Sequence, residues 1–415
     1  MFDVYIKSIK IEEVRNLSNI LIPVSESEKK NIVFTGKNGS GKTSLLESIS
    51  HNLFFLFSSG DFQKIEEDIR IFRDAYKRAE LDGSENEVYQ YKQLVDEKER
   101  QLKDARSGLS IEFNVPNNCL KSHYDSGDFI AAYFGANRTF NAIIPRHIES
   151  VELKRQYSLE EAPRMEFVKY IADLKVKEAL AKSSGNVPMA ESIHAWFLSF
   201  DQLLKTIFED DTIELTFDPE TYEFNILQKG KDAFGFNVLS DGYAAALDII
   251  VDLMMRMEKQ SNRSFAYDMP GIVMIDEIET HLHLELQRNI MRMLTSFFPN
   301  IQFIVTTHSP FILNSVGNAI IYDLEKEILV KDGLNNVPYS GIVEGYFGAD
   351  QLSSELRTKF DEYKKLVKKE EITDEDLSDI MELERYLEEI PDYLALDIST
   401  EFHKLKLQFQ SRGDL

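Results

Sequence analysis

The chain has 415 residues, and its 71 Asp and Glu outweigh 47 Lys and Arg to leave a net charge of −24. At 43% hydrophobic and 28% charged it reads as folded rather than disordered. The acidity argues against broad nonspecific affinity for nucleic acid, and one cysteine, Cys119, excludes a disulfide framework or a cysteine-built metal cluster.

No apolar run reaches the ~18–20 residues that a membrane span needs. The opening MFDVYIKSIKIEEV alternates charged and apolar residues, unlike a signal peptide. These features predict a cytoplasmic, reducing setting with no membrane partner.

Residues 2–12 alternate like a strand, with 19–24 as its hairpin partner. Asn31–Thr35 is a short apolar strand running into a glycine-rich turn, and from Thr43 the apolar spacing turns helical. Residues 61–106 are charged and helical in period, broken at Leu81-Asp82-Gly83-Ser84, which predicts two antiparallel helices. Strands are expected at 109–113 and 129–134, then helices from 158 to 208 broken at 183–188. Strands at 212–217 and 222–227 follow, separated by the turn Asp218-Pro219-Glu220. GIVMI, a helix, IQFIV and a further helix set a βαβ rhythm that implies parallel strands. The tail from about 351 is acidic and helical.

Gly36-Lys37-Asn38-Gly39-Ser40-Gly41-Lys42-Thr43 matches GxxxxGK[ST] between an apolar strand and an amphipathic helix. Glycines let successive backbone N–H groups face phosphate oxygens, and the helix start adds positive potential. Lys42 is expected to reach the β- and γ-phosphates of ATP, and the Thr43 hydroxyl to ligate Mg²⁺.

Ile272–Ile275 is an apolar strand ending in Asp276 and Glu277. Paired carboxylates at such a strand end are expensive to desolvate without a cation or a catalytic task. Asp276 is expected to hold Mg²⁺, and Glu277 to orient the attacking water. Strand 303–307 delivers His308 beside them, within reach of the γ-phosphate. His281 and His283 have HxH spacing, but i and i+2 do not share a helix face, so ordinary structural roles are favoured over metal ligation.

GKNGSGKT, LSDGY (239–243), IVMIDEIETHLH and IVTTHSPFIL together resemble the ABC-type ATPase heads of the RecF, SMC and OLD-like group. The resemblance covers about residues 1–55 and 235–320. It implies an α/β head, a mixed sheet around a P-loop βαβ core, with helical insertions and a helical tail. It implies that Ser240 and Gly242 act in trans on ATP held by a partner head, that His308 is the switch histidine, and that Glu279–His281 join the two sites. Arg15 becomes a nucleotide-contact candidate. Such heads usually carry a Mg²⁺-binding glutamine between the P-loop and the signature. No glutamine occurs from 108 to 155, leaving Asn137 or Arg138 as substitutes.

The expected organisation is an N-terminal half-head (1–60), a helical hairpin (61–107), a return to the head sheet (108–157), a helical insertion (158–210), a C-terminal half-head (211–350) and an acidic tail (351–415). The stretch GIVEGYFGADQLSSELRTKFDEYKKLV resembles PtuA-like ATPases of the Septu and retron anti-phage systems. This implies an oligomer built by an ATP sandwich, controlling a separate effector such as an HNH nuclease. Glu344 resembles the first acid of a TOPRIM nuclease. The only later candidate for the DxD pair such a site needs, Asp374-Glu375-Asp376, sits in a charged helical segment, so no built-in nuclease is expected. The alternative is a RecF-like repair ATPase binding DNA ends or gaps, with Arg138, Arg146, Lys154 and Arg155 as its basic patch.

Overall fold

The structure is a computed structural model describing residues 3–58, 62–145, 147–337, 341–342, 354–369, 372–388 and 396–411. Internal contacts separate one unit, Met1–Val337, from a second, Pro338–Leu415. The expected boundary at 350 and the TOPRIM-like Glu344 lie outside the described residues.

The first unit contains two main sheets. The predicted hairpin forms as β1 (Ile6–Val14) and β2 (Leu17–Pro23). Together with β4 (Leu109–Phe113) it makes an antiparallel sheet in the order β2-β1-β4. Gly108 (φ 75°) allows the close approach at this corner, since a Cβ there would lie 1.8 Å from the Glu13 carbonyl oxygen.

The second sheet has β3 (Asn31–Thr35), β5 (Ile130–Phe134), β8 (Gly271–Ile275), β9 (Ile301–Thr306), β10 (Ala319–Asp323) and β11 (Ile328–Val330). Its order is β11-β10-β3-β9-β8-β5, parallel except for β11. Strands β3, β8, β9 and β10 are buried along their whole length, which explains their continuous apolar runs. Helix α1 (Lys42–Ser58) buries Leu45, Ile49, Leu53 and Leu56, spaced by three or four residues, in a core shared with Ile9, Ile11, Ile304 and Ile320. The mixed sheet around a P-loop strand–helix unit is the expected fold class.

Helices α2 (Phe62–Asp82) and α3 (Glu85–Arg106) form the charged hairpin, turning at Gly83 (φ 70°) and laced by Arg73–Glu99, Lys98–Asp68 and Arg106–Glu66. Helix α4 (Asn117–Ser126) escaped sequence reading, although Pro116 at its N-cap and left-handed Gly127 at its C-cap mark both ends. The second helical stretch begins later than expected. Residues 158–162 are irregular, and Pro163–Glu166 make a 3₁₀ turn before α5 (Phe167–Ser183) and α6 (Val187–Phe208). A two-stranded β6 (Glu214–Phe217) and β7 (Phe224–Leu227) precede α7 (Asp241–Ser261), a helix buried on most of its circumference. Helices α8 (Leu284–Phe297) and α9 (Pro310–Ser315) flank β9, and the β10–β11 hairpin was not read from sequence.

In the second unit, α10 (Ser354–Val367), α11 (Asp374–Glu388) and α12 (Leu396–Gln410) pack around Phe360, Tyr363, Ile380 and Phe402. Asp376 accepts hydrogen bonds from Lys369 Nζ at 2.6 Å and from the Thr373 amide at 3.1 Å. The Lys369 ammonium leads in holding its carboxyl down at about 2. No described helix is long and apolar enough to cross a membrane.

Candidate nucleotide site

The parallel sheet brings three chain segments to one edge. β3, β9 and β8 are successive neighbours, so the turns that leave their C-terminal ends converge where α/β sheets bind ligands. These turns carry the P-loop, His308 and the two acids.

The P-loop backbone is shaped by Gly36 (φ 133°) and Gly41 (φ 98°). A Cβ at Gly36 would meet Ser40 Oγ at 2.9 Å, and one at Gly41 would meet Asn16 Oδ1 at 3.1 Å. Lys42 is buried, and its ammonium donates to the carbonyls of Gly36 (2.8 Å) and Lys37 (3.0 Å). Burial pulls this ammonium below its ordinary value, against the opposing pull of Glu277, Glu279 and Asp276. Lys37 is exposed and pairs with Glu325 Oε1 at 2.8 Å, while its amide donates to Glu325 Oε2 at 3.4 Å.

Asp276 is buried at the end of β8. Its Oδ1 accepts from the Thr43 hydroxyl at 3.3 Å and from the Thr306 hydroxyl at 2.6 Å. Glu277 adopts a left-handed conformation (φ 44°) that costs a non-glycine residue energy. Its amide donates to Thr306 Oγ1 at 2.7 Å, and its carboxylate accepts from Thr280 Oγ1 at 3.2 Å. His308 Nε2 lies 3.9 Å from Glu277 Oε1, and its Nδ1 is 3.5 Å from the Gly36 carbonyl. The His308 amide donates to Glu279 Oε1 at 2.6 Å. Lys42, Thr43, Asp276, Glu277 and His308 therefore share one site.

A hard cation such as Mg²⁺ takes oxygen ligands and keeps several waters. The Thr43 hydroxyl beside the Asp276 carboxylate fits that preference. A phosphate chain also fits: the Ser40 hydroxyl, a possible donor, is buried without a hydrogen-bond partner, and the glycine backbone leaves a cradle.

Ser240 and Gly242 sit elsewhere, at the N-terminus of α7. Ser240 is exposed, and its hydroxyl makes no hydrogen bond to cap its own helix. Gly242 is buried, where a Cβ would meet the His281 carbonyl oxygen at 3.1 Å, and the Tyr243 ring stands edge-on to His283 at 5.3 Å. The signature segment thus packs on the loop that follows the acids. His283 Nδ1 accepts the Leu286 amide at 3.4 Å and caps α8, which gives His283 a structural role.

Arg138 departs from both roles considered for it. It is 3% exposed, and its guanidinium is committed to backbone carbonyls, so it contributes neither to a surface patch nor to a metal shell. A guanidinium has only donors in any case. Lys154 pairs with Glu161 and Arg155 with Asp128, and Arg146 lies outside the described residues, so no basic patch assembles from the described members of that set. Asn137 is exposed at the same loop and keeps its place as a candidate. Thr306 and Glu325 escaped sequence reading, since only the β8–β9 pairing and the β10–β11 turn bring them to the site.

Residues 8–187 match the family model "AAA domain", and residues 141–314 match "AAA domain, putative AbiEii toxin, Type IV TA system". The chain is 35% identical over 156 residues to "Retron Ec83 probable ATPase" of Escherichia coli, spanning 36% of this chain and 29% of that one. It is 26% identical over 382 residues to "Septu protein PtuA" of Bacillus mycoides (strain KBAB4), spanning 86% of this chain and 47% of that one. The chain is thus similar, over these stretches, to Septu PtuA and retron ATPases. It spans less than half the length of these two curated relatives. Among solved structures, the SmcHead bound to the C-winged helix domain of ScpA aligns over 80% of this chain and 98% of that one, at a TM-score of 0.40 and 15% identity.

Proposed function

We propose that this chain is an ATPase whose heads pair across bound ATP and Mg²⁺, and that closure and opening of the pair form a nucleotide-driven switch. The observation that carries this reading is the meeting of Lys42, Thr43, Asp276, Glu277 and His308 at the ends of three adjacent parallel strands.

Each side chain has a task suited to its surroundings. Lys42, held at the P-loop carbonyls, turns to the β- and γ-phosphates. Thr43 and Asp276 hold the cation, which supplies charge neutralisation on the phosphate oxygens. The Glu277 carboxylate accepts a hydrogen bond from the attacking water and lines it up with the γ-phosphorus. His308 donates to a γ-phosphate oxygen as charge builds there. Ser240 and Gly242 present the signature to the ATP of the partner head. Exposure of Ser240, with its hydroxyl unused by its own helix, supports that assignment. Because ATP would bridge two heads, nucleotide binding and closure are coupled in both directions.

Similarity to Septu PtuA and retron ATPases supports a role in anti-phage defence, with a separate effector, such as an HNH nuclease, as the output. The RecF-like alternative loses its candidate surface, since Arg138 is buried and Lys154 and Arg155 are paired with acids.

Mass photometry of wild type and Glu277→Gln, with and without ATP and MgCl₂, tests the reading alongside phosphate release. The expected result is hydrolysis by wild type, loss of hydrolysis in Glu277→Gln, and ATP-dependent assembly of that variant. Ser240→Arg should abolish assembly while each chain still binds ATP. ATP binding without any change in mass would sink the sandwich, and absence of turnover even with the native-operon partner would sink the ATPase.

A further inference from the structure

The loop after β5 places a guanidinium behind the two acids. Arg138 Nη1 donates to the carbonyls of Gly135 (2.9 Å) and Asp276 (2.6 Å), and Nη2 to those of Glu277 (2.8 Å) and Ile278 (3.3 Å). Three consecutive carbonyls of the segment bearing the acids are thus gathered on one planar fork. The middle residue, Glu277, has the strained φ of 44°. Such a conformation persists only where surrounding bonds over-determine it. Arg138 supplies those bonds from the carbonyl side, while Thr306 holds the Glu277 amide.

A buried charge on α7 acts on the same guanidinium. Asp248 is wholly buried on that helix, its charge opposes the effect of burial on Arg138 without a hydrogen bond or ion pair between them, and its Oδ2, like Arg138 Nε, has no hydrogen-bond partner. Its Oδ1 is taken by Arg164 Nε. Two turns earlier, the same helix starts just after Ser240.

We propose that Arg138, through its fork on three carbonyls, is the positioning residue for the hydrolytic acids, and that the buried charge of Asp248, acting on Arg138 across space and not through a bond, couples that fork to the helix that begins at the signature. The proposal rests on the ATPase reading given above. A displacement of α7 when Ser240 engages a partner's nucleotide would move Asp248, and with it the fork that sets the Glu277 backbone. Hydrolysis would then depend on Arg138 more than nucleotide binding does, because Lys42 bonds the P-loop carbonyls and makes no hydrogen bond to Arg138 or Asp248.

Arg138→Lys and Asp248→Asn test this in the full chain, with kcat, KM, ATP affinity and thermal melting measured on each. Lysine keeps the charge but cannot span three carbonyls as a planar fork. Arg138→Lys should lower kcat by about tenfold or more with ATP affinity within about threefold of wild type. Asp248→Asn should lower kcat by a smaller factor, and the double variant should be no slower than Arg138→Lys alone, as expected of residues acting in one chain.

Wild-type turnover in folded Arg138→Lys, or an equal loss of kcat and ATP affinity, would overturn the proposal. If Arg138→Lys does not fold, the milder Asp248→Asn decides, and wild-type kcat in that variant rejects the link. Wild type and Glu277→Gln run in the same assay keep the two readings apart. No turnover in wild type defeats the ATPase, whereas turnover lost in Glu277→Gln but intact in both new variants defeats only the role of Arg138.

Discussion

The Thr306 hydroxyl donates a hydrogen bond to Asp276 Oδ1 at 2.6 Å, and Thr306 Oγ1 itself accepts the Glu277 amide at 2.7 Å. One side chain at the end of β9 therefore orients both the Asp276 carboxylate and the Glu277 backbone. Thr306 and Asp276 are both buried, so no solvent can replace the bond between them cheaply.

Thr306→Val keeps the shape and removes both bonds. Loss of a buried partner costs about 1–3 kcal/mol, so thermal melting should show a lower Tm. Hydrolysis should fall on the order of tenfold, with a higher MgCl₂ concentration needed for half-maximal rate. Thr306→Ser, which retains the hydroxyl, should recover most of both. Equal rates for Val and Ser would rule out the proposed orientation.

Glu325 places an acid against the P-loop, where phosphate charge would have to sit. The Lys37 ammonium holds its carboxyl below the usual carboxylate range, and Glu325 in turn raises Lys37. Both side chains face solvent, so the pair contributes little to folding. Glu325→Gln should leave Tm unchanged and tighten ATP binding about two- to fivefold at low ionic strength, with the gain shrinking in high salt. Weaker binding would mean that Glu325 organises the loop for nucleotide rather than opposing it.

Asp248 carries a pH dependence of known sign. Burial raises its carboxyl to about 6, against the opposing pull of Arg164 and Arg138, with Asp252 adding to the rise. Between about pH 4 and 6 the folded chain therefore binds more protons at this site than the unfolded chain does. The stability it contributes is present below that window and is lost as pH rises through it. Asp248→Asn should melt close to wild type near pH 4.5 and gain on it by up to ~3 kcal/mol by pH 7.5. A difference between the two melting curves that stays flat with pH would show that Asp248 titrates normally.

Much of the site was legible without coordinates because its chemistry is local in sequence. GKNGSGKT needs only its own glycines and the helix after it, and IVMIDE needs only an apolar run ending in two acids. The predicted span of β3 coincides with the observed strand, since a fully buried parallel strand leaves an uninterrupted apolar run. Helix α4 was missed because it is short and mostly polar, and the β10–β11 hairpin because β11 has only three residues, none of them buried, while the long pairing of β10 is with β3, far away in the chain.

Arg138 shows where sequence reading goes astray. In GANRTF nothing distinguishes a surface arginine from one buried among carbonyls, because the bonds that hold it inside come from residues about 140 positions away. From the sequence alone came the P-loop motif, the paired acids and His308 after its strand, since contiguous residues encode each, while LSDGY stood out through its resemblance to a signature. Which of them meet was decided only by the strand order, because parallel neighbours place their C-terminal ends together whatever their separation in the chain. The same packing set Thr306, Glu279 and Arg138 around the acids, and left Ser240 on another helix, facing outward.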